Sequence, residues 1–366
     1  MRRKQGRGAE TMALKFGYVG CGLMGQGVHI PNFAAIPGVK LVALAELRPR
    51  LGEKVQRRWG FRRLYRSHVE LADDAEVEAV GVSAAFAEQA DIAGDLLRAG
   101  KHVFMEKPMA VSAAQAEEML EAAGAGGARL MVGYMKRYDA GNEIAKRYAD
   151  EFRQDEAMGP LFYARNHGFC GNWLAGFDAV IEETEEPRPE PGPGRYPDWL
   201  PESLRGPYVG YLQQYAHNVN LLRWFLDAGE EVRVSGVDLD EDGYTGLVSF
   251  EMNGTRAVIE SGNVSHHGWD EHTQLYFRNG WVRVQSPALL QRNACAAVEV
   301  YRAGEAQEVC HPAPTLYSWS FRREAEHFVA RLQSGEQFRS SGEDTLTDVR
   351  VFEEIYRGYM KAAQAG

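Results

Sequence analysis

The stretch FGYVGCGLMG, residues 16–25, runs from an apolar segment into glycines with the spacing Gly-x-Gly-x-x-Gly. This order is typical of a β-strand that turns sharply into a helix. Gly20 would allow the tight turn, Gly22 would let a ligand approach the backbone, and Gly25 would let the helix pack closely. The stretch therefore predicts a dinucleotide-binding turn.

The residues on either side of this turn support a dinucleotide site. Backbone N–H groups at the helix start, including those of Leu23 and Met24, would face a pyrophosphate at the positive end of the helix dipole. Residues 39–45 predict a second buried strand that ends at Glu46, where a carboxylate can bind the adenosine ribose hydroxyls. Glu46 favours NAD, because a carboxylate repels a 2′-phosphate, but the nearby guanidinium of Arg48 leaves NADP open.

Composition and charge limit the classes of protein to which the chain can belong. It has 366 residues, of which 45% are apolar, so about two globular domains can form. No apolar run approaches the roughly 20 residues that span a bilayer, and no signal segment follows the basic residues 1–8, so we expect a cytoplasmic protein without a membrane partner. The net charge of −10 argues against nucleic acid as a partner. Four scattered cysteines indicate neither disulfides nor a metal site.

Two kinds of pattern divide the chain near residue 135. Residues 12–135 alternate apolar strands with amphipathic helices, which predicts a Rossmann domain with a parallel sheet, and residues 1–11 are expected to be a disordered extension. Residues 136–366 contain longer segments with period-two alternation, which predicts an α+β domain with a large, mostly antiparallel, open-faced sheet. The alternating segments are 161–169, 231–240, 244–252, 255–265, 272–285 and 296–303, and terminal helices are expected at 321–332 and 344–362.

Residues 181–210 differ in composition from the rest of the chain. An acidic run at 182–186 is followed by a Pro- and Gly-rich stretch, so we expect no regular structure here. One interpretation is a solvated surface loop. The other is a lid over an active site or an arm that reaches a neighbouring subunit, since Tyr196, Trp199 and Tyr208 are embedded in it.

Polar residues follow two predicted strands of the first domain, where carboxyl ends would face the cofactor crevice. Ser83 ends the segment 77–83, and Glu106-Lys107-Pro108 follows the strand 102–105, so Ser83, Glu106 and Lys107 are candidates for cofactor contact. Lys107 would meet the nicotinamide, where desolvation should lower its pKa and let it exchange a proton with a substrate hydroxyl. A surface lysine at the end of a strand is the alternative interpretation.

The segment 211–226 predicts a helix with one apolar side and one polar stripe. The stripe recurs at i, i+4, i+7 and i+11 and consists of Gln213, His217, Asn220 and Trp224. A histidine of near-neutral pKa can accept a hydroxyl proton as hydride leaves the carbon, which is general base catalysis. Taken alone, His217 is better interpreted as a hydrogen-bonded structural residue, but the combination with Lys107 favours a catalytic role.

Together, the glycine turn, the Glu106-Lys107-Pro108 motif and a histidine helix containing Leu222-Arg223-Trp224 resemble the glucose-fructose oxidoreductase and inositol dehydrogenase family. The resemblance covers most of the chain. It implies a Rossmann domain followed by an open-faced sheet domain, and an enzyme that uses NAD(P) to oxidise or reduce sugars and cyclitols. It places the family's lysine at Lys107 and its histidine at His217. A similar segment at 132–138 makes Lys136 and Arg137 candidates for substrate or cofactor contact.

The chain departs from the family pattern at two positions of the histidine helix. The family usually has aspartates where this chain has Gln213 and Asn220. An amide can orient a hydroxyl or an imidazole, but it cannot carry a proton. We therefore expect His217 and Lys107 to transfer protons without a carboxylate, with Gln213 and Asn220 positioning the ring, or else a substrate that differs from the usual one.

Imidazole and aromatic side chains elsewhere are further candidates for substrate contact. They are His167, Trp173, the pair His266-His267 and Trp269. Their spacing is not that of a zinc site, so no metal is expected.

These features together predict an NAD(P)-dependent oxidoreductase acting on a hydroxyl-bearing carbon of a sugar or cyclitol, assembled as a homodimer or homotetramer. A hydrolase or lyase that oxidises the sugar transiently with NAD, and a non-catalytic regulator that binds a dinucleotide, remain alternatives.

Overall fold

The computed structural model describes residues 13–264, 268–312 and 318–365. The first part of the chain forms a six-stranded parallel sheet with the order β3-β2-β1-β4-β5-β6, which confirms the predicted Rossmann domain. Its strands are β1 (Leu14–Val19), β2 (Val39–Ala45), β3 (Arg63–Tyr65), β4 (Ala79–Val82), β5 (His102–Glu106) and β6 (Leu130–Gly133).

Helices connect these strands and place their first turns at the carboxyl edge of the sheet. The glycine turn leads into a π-helical turn, Gly25–His29, that continues as α1 (Ile30–Ala34). The other helices of this part are α2 (Pro49–Trp59), α3 (His68–Ala72), α4 (Phe86–Arg98) and α5 (Ala113–Gly126). Ser112 caps α5 by accepting the N–H of Gln115 at 3.3 Å. The carboxyl edge is where open parallel sheets bind ligands.

The second part of the chain forms an eight-stranded sheet with the order β14-β13-β12-β11-β7-β10-β9-β8. Its strands are β7 (Leu161–Cys170), β8 (Val232–Leu239), β9 (Gly246–Met252), β10 (Thr255–Asn263), β11 (Trp269–Phe277), β12 (Gly280–Ser286), β13 (Ala297–Arg302) and β14 (Glu308–Cys310). Neighbours are antiparallel except β7 and β10, which confirms the mostly antiparallel prediction.

The prediction of one strand over 272–285 is wrong. Residues 278–279 form the turn of a hairpin between β11 and β12. The pair Asn279-Gly280 is a common hairpin-turn sequence and was the available signal.

Helix α7 (Glu202–Leu226) covers one face of this sheet and begins earlier than predicted. The expectation of no regular structure over 181–210 is therefore wrong for residues 202–210, although Pro207 lies inside the helix. Burial outweighs the cost of the proline, because Tyr208 and Tyr211 pack against Tyr356 with ring centroids 5.1 and 6.0 Å apart.

The remaining α-helices of the described residues are α6 (Ala140–Gln154), α8 (Ser320–Ser334) and α9 (Gly342–Ala365). The sequence patterns did not predict α6, although its cap, Asp139, was a readable signal, since it accepts the N–H groups of Gly141 and Asn142. Phe328 of α8 packs on the first domain, edge-on to Phe104 at 5.8 Å. Within the described residues, we find no helix with the length and apolarity needed to cross a membrane.

Candidate functional site

The glycine turn is built by close packing and leaves its middle open. Gly20 has φ +95°, and a Cβ there would lie 2.2 Å from the Ser83 carbonyl oxygen. A Cβ on Gly25 would lie 2.4 Å from the Gly20 carbonyl oxygen, so the helix start approaches the turn closely. A Cβ on Gly22, in contrast, would meet no atom of the described chain within 4 Å, and Gly22 is exposed. The turn therefore fits a ligand such as a pyrophosphate above Gly22.

Glu46 follows β2 and contacts the glycine turn directly. One carboxylate oxygen accepts the N–H of Cys21 at 2.8 Å, and the other accepts the backbone N–H and the Nε–H of Arg48 at 3.1 and 2.7 Å. Arg48 is thereby held against Glu46, and its charge is partly neutralised. Leu23 and Met24, in the glycine turn, are partly exposed.

Two further candidate cofactor positions, Ser83 and Glu106, differ in exposure: Ser83 is half-buried and Glu106 is buried. The hydroxyl of Tyr18 donates to Ser83 Oγ at 3.0 Å, next to the glycine turn. Glu106 is buried, with Oε1 2.6 Å from His29 Nε2, and its Oε2 accepts the N–H of Lys107 at 3.0 Å. Glu106 therefore orients the backbone of Lys107 and does not itself face the crevice.

Lys107, at the carboxyl end of β5, reaches across to the second domain. Its Nζ donates to the backbone carbonyl of Gln213 on α7 at 2.8 Å. Burial lowers the pKa of Lys107, Glu106 opposes this effect, and the charge of Lys136 adds to it. The ammonium is thus placed where proton exchange is easier than at a surface lysine.

His217 lies one helical turn beyond Gln213 and is 4% exposed. Its ring meets that of Tyr134 edge-on, with centroids 5.8 Å apart. Burial lowers the pKa of His217 well below its ordinary value, and the charges of Lys107 and Lys136 lower it further. Its Nδ1 has no hydrogen-bond partner among the described residues. The imidazole is therefore neutral at physiological pH and able to accept a proton.

Lys136 belongs to a buried polar network that the sequence did not predict. Its Nζ pairs with Glu271 of β11, whose Oε1 also accepts from the Asn218 amide at 3.4 Å. Asn218 donates to Asn166 at 2.6 Å, which donates in turn to Thr273 at 2.7 Å. Glu271 Oε2 is buried without a hydrogen-bond partner among the described residues. The sequence patterns did not single out Glu271. The one available signal was that this carboxylate occupies a strand position whose alternation otherwise assigns apolar, inward-facing side chains.

Arg137 and Asn220 point away from Lys107 and toward the C-terminal helix. Arg137 donates to Asp344 at 2.6 Å and to the Asn220 carbonyl at 3.2 Å. The Asn220 amide donates to Asp348 at 2.6 Å, and Asn220 is 1% exposed. The C-terminal helix thus covers Asn220, and neither Arg137 nor Asn220 is brought to Lys107.

His167 lies on the opposite face of the second sheet. Side chains alternate along β7, so Asn166 faces α7 and His167 faces outward. There its Nδ1 is 2.6 Å from Glu260 Oε2, and its ring stacks on His272 at 4.9 Å. The structure therefore does not bring His167 to the cleft.

The remaining candidates for substrate contact are Trp173, Trp269 and the pair His266-His267. Trp173 is 41% exposed in the chain after β7. Trp269 begins β11 opposite Cys170 and lies on the same face of the sheet as Glu271, the partner of Lys136, so it stays a candidate. The pair His266-His267 lies outside the described residues. In the described ranges, no three His, Cys, Asp or Glu side chains form a group that could hold a metal.

Comparison with known proteins agrees with this fold and these motifs. Residues 14–134 match the model of the Gfo/Idh/MocA oxidoreductase family, described as an NAD-binding Rossmann fold. The chain is 34% identical over 290 residues to an inositol 2-dehydrogenase of Azotobacter vinelandii, covering 76% of each chain. It is 26% identical over 353 residues to inositol 2-dehydrogenase 2 of Saccharopolyspora erythraea, covering 93% of this chain and 92% of that one.

The fold is also that of a solved structure. Aldose-aldose oxidoreductase from Caulobacter crescentus, complexed with glycerol, superposes with a TM-score of 0.72 at 22% identity, covering 96% of this chain and 98% of that one. Given the open glycine turn and sequence similarity that extends over both domains, the chain belongs to the Gfo/Idh/MocA family of NAD(P)-dependent oxidoreductases.

Proposed function

We propose that the protein is an NAD-dependent dehydrogenase that acts on a hydroxyl-bearing carbon of a cyclitol or sugar. The observation that carries the proposal is the meeting of Lys107 and the His217 helix across the domain boundary, at the carboxyl edge of a sheet with an open glycine turn. The relatives named inositol 2-dehydrogenase support a cyclitol as the first substrate class to test. Glu46 beside the turn supports NAD over NADP.

The bound dinucleotide would supply a nicotinamide ring that accepts or returns hydride. The protein's own residues handle the proton. His217 is neutral because its pKa is lowered, so it accepts the hydroxyl proton during oxidation. Lys107 donates a hydrogen bond that stabilises developing negative charge on the oxygen. In the reverse direction, the lowered pKa of Lys107 lets it give its own proton to the substrate oxygen as hydride returns to the carbon.

The two amides that replace carboxylates have different places in this proposal. Gln213 uses its backbone carbonyl to orient Lys107, which any residue type at that position can do. Asn220 is buried against Asp348 and acts on the fold. The lost aspartates therefore leave His217 without an acidic partner on its helix, and its positive neighbours Lys107 and Lys136 favour its neutral form.

The test measures nicotinamide absorbance in the near ultraviolet with purified protein, NAD or NADP, and a panel of cyclitols, sugars and amino sugars. Lys107→Met should lower kcat by about 10³-fold, because it removes both the proton and the hydrogen bond, while dinucleotide affinity changes by less than about threefold. Lys40→Met serves as the matched control, since Lys40 is exposed near the start of β2, at the opposite edge of the sheet.

Three other results would change the proposed function or the role of Lys107. Turnover that survives Lys107→Met would refute the assigned role of Lys107. Product formation without net change in NADH would favour a hydrolase or lyase that uses NAD transiently. Tight dinucleotide binding without turnover of any substrate would favour a regulator.

A homo-oligomer and a cytoplasmic location stay predictions. The outer face of the second sheet offers a surface for a second copy, because it carries Tyr163, His167 and Tyr276 without a covering helix among the described residues. Sedimentation of the purified protein would test the oligomeric state.

A further inference from the structure

Residues 177–195, here called the strap, belong to the chain between β7 and α7 and lie along the carboxyl edge of the first sheet. Phe177 packs on Gly27, where an added Cβ would lie 2.5 Å from its ring. Gln26 and Glu182 form a reciprocal pair, because the Glu182 N–H donates to Gln26 Oε1 at 2.8 Å and Gln26 Nε2 donates back to the Glu182 carbonyl at 3.1 Å. The strap is thus attached to the helix that follows the glycine turn.

Farther along, the strap places a carboxylate on the first turn of α2. Glu186 accepts the backbone N–H groups of Arg50 and Leu51 at 2.9 and 3.0 Å, one on each carboxylate oxygen. Thr184 donates to the same carboxylate at 3.0 Å. Desolvation opposes ionisation, but these donors outweigh it, and the pKa of Glu186 lies below its ordinary value. Glu186 therefore carries a negative charge at this helix end.

The strap then crosses to α4 and is fastened there. The Gly192 N–H donates to Glu88 at 2.8 Å, and Arg195 pairs with Asp91 at 3.1 Å. Lys54 of α2 donates to the Glu183 carbonyl at 2.8 Å. Because it is attached on both sides, the segment around Glu186 is held in place and does not hang freely in solvent.

This position matters for the choice of dinucleotide. Glu46 and Arg48 directly precede α2, at the place where a Rossmann fold binds the adenosine ribose. A 2′-phosphate there would need a cation and free N–H groups at the helix end. Arg48 is already paired with Glu46, and Glu186 already occupies the N–H groups of Arg50 and Leu51. A phosphate would find both sets of donors taken and two carboxylates beside it.

We propose that Glu186 is a specificity-determining residue that excludes NADP, brought to the first domain by the strap of the second. The proposal rests on the proposed function only in that a nicotinamide dinucleotide binds at the glycine turn. Glu46 and Glu186 act together: Glu46 holds the guanidinium, and Glu186 fills the helix end.

The test titrates the purified full-length protein with NAD⁺ and with NADP⁺ and measures both dissociation constants by calorimetry, without a substrate. Glu186→Gln should raise the affinity for NADP⁺ relative to NAD⁺ by about tenfold, because the charge that repels the phosphate is removed. Glu185→Gln is the matched control, since Glu185 is exposed on the same strap and loses the same charge. For this control, the affinity for NADP⁺ relative to NAD⁺ should stay within about twofold of the wild-type value.

Two more variants test whether Glu46 and Glu186 together determine the choice of dinucleotide. Glu46→Ser with Glu186→Gln should raise the ratio further than either change alone, since Arg48 is then released. Glu186→Ala removes the charge and both hydrogen bonds, so it should also raise the affinity for NADP⁺ relative to NAD⁺. It takes the place of Glu186→Gln if the glutamine variant does not fold.

The outcomes separate the two proposals. A ratio that Glu186→Gln leaves unchanged, or that Glu185→Gln raises equally, overturns the role of Glu186 while the proposed function stands. A wild-type preference for NADP⁺ also overturns it. If the wild-type protein binds neither dinucleotide, the proposed function itself fails.

Discussion

The proposed cofactor end consists of the glycine turn, Glu46 and Arg48, which come from one continuous stretch, residues 20–48. Their contacts are mostly backbone N–H groups that donate to a carboxylate. The proposed reaction end consists of Lys107, Lys136, His217 and Glu271. These residues come from four separate parts of the chain and interact through a buried ion pair, a hydrogen bond to the α7 backbone and the charges of the two lysines. The first end depends on backbone shape, which a few glycines determine. The second depends on paired charges in a dry interior, where loss of one partner leaves the other exposed to the full cost of burial.

The largest expected effect is at the reaction end. Lys136→Met should lower the free energy of unfolding by about 3–5 kcal/mol, because it leaves Glu271 charged, buried and unpaired. Denaturant unfolding measures this change. Arg233→Met, which breaks the exposed pair with Glu251, is the control and should cost no more than about 1 kcal/mol. Adding Glu271→Gln to Lys136→Met should recover much of the loss, and no recovery would show that the pair is not the cause.

At the cofactor end, two neighbouring glycines should respond in opposite ways. Gly20→Ala should lower stability by about 2 kcal/mol or more, since it has positive φ and its Cβ would meet the Ser83 carbonyl. Gly22→Ala should change stability by less than about 0.5 kcal/mol but weaken dinucleotide binding about tenfold, because its Cβ enters the open space above the turn. Thermal unfolding and dinucleotide titration of both variants measure the contrast. Equal effects on binding and stability in both would contradict it.

The smallest effect concerns Glu324 of α8, which is fully buried near Glu106. Burial raises the pKa of Glu324 well above its ordinary value, and the charge of Glu106 raises it further. The folded state therefore binds this proton more tightly than the unfolded state. Its contribution to stability is complete below about pH 4.5 and is lost as the pH rises toward the raised pKa.

Glu324→Gln should consequently flatten the pH dependence of unfolding above about pH 5 and stabilise the protein at pH 8 by about 1 kcal/mol. Chemical denaturation at several pH values measures this, with Glu354→Gln, an exposed substitution on α9, as the control. Parallel pH curves for wild type and Glu324→Gln would contradict the assignment.

The ease of prediction also differs between the two ends. The strands, the glycine turn and Glu46 could be predicted because the spacing within about 30 residues determines their backbone geometry. The contact of Lys107 with α7 followed only from the resemblance to a family, and the pairing of Lys136 with Glu271 could not be predicted, since the partners lie 135 residues apart. His167 was misplaced for a simpler reason: a one-residue step along β7 reverses the face of the sheet.

With a dinucleotide bound as proposed, the strap would give the cofactor end a kinetic property that its contacts alone would not. A dinucleotide lying beneath residues 187–191 would leave sideways only after Glu186 detaches from α2 or Gly192 detaches from α4. Its residence time would then depend on the movement of a peptide segment as well as on how tightly the nicotinamide end is held. Each turnover with free NAD would then require the strap to open, so cofactor exchange would limit the steady-state rate.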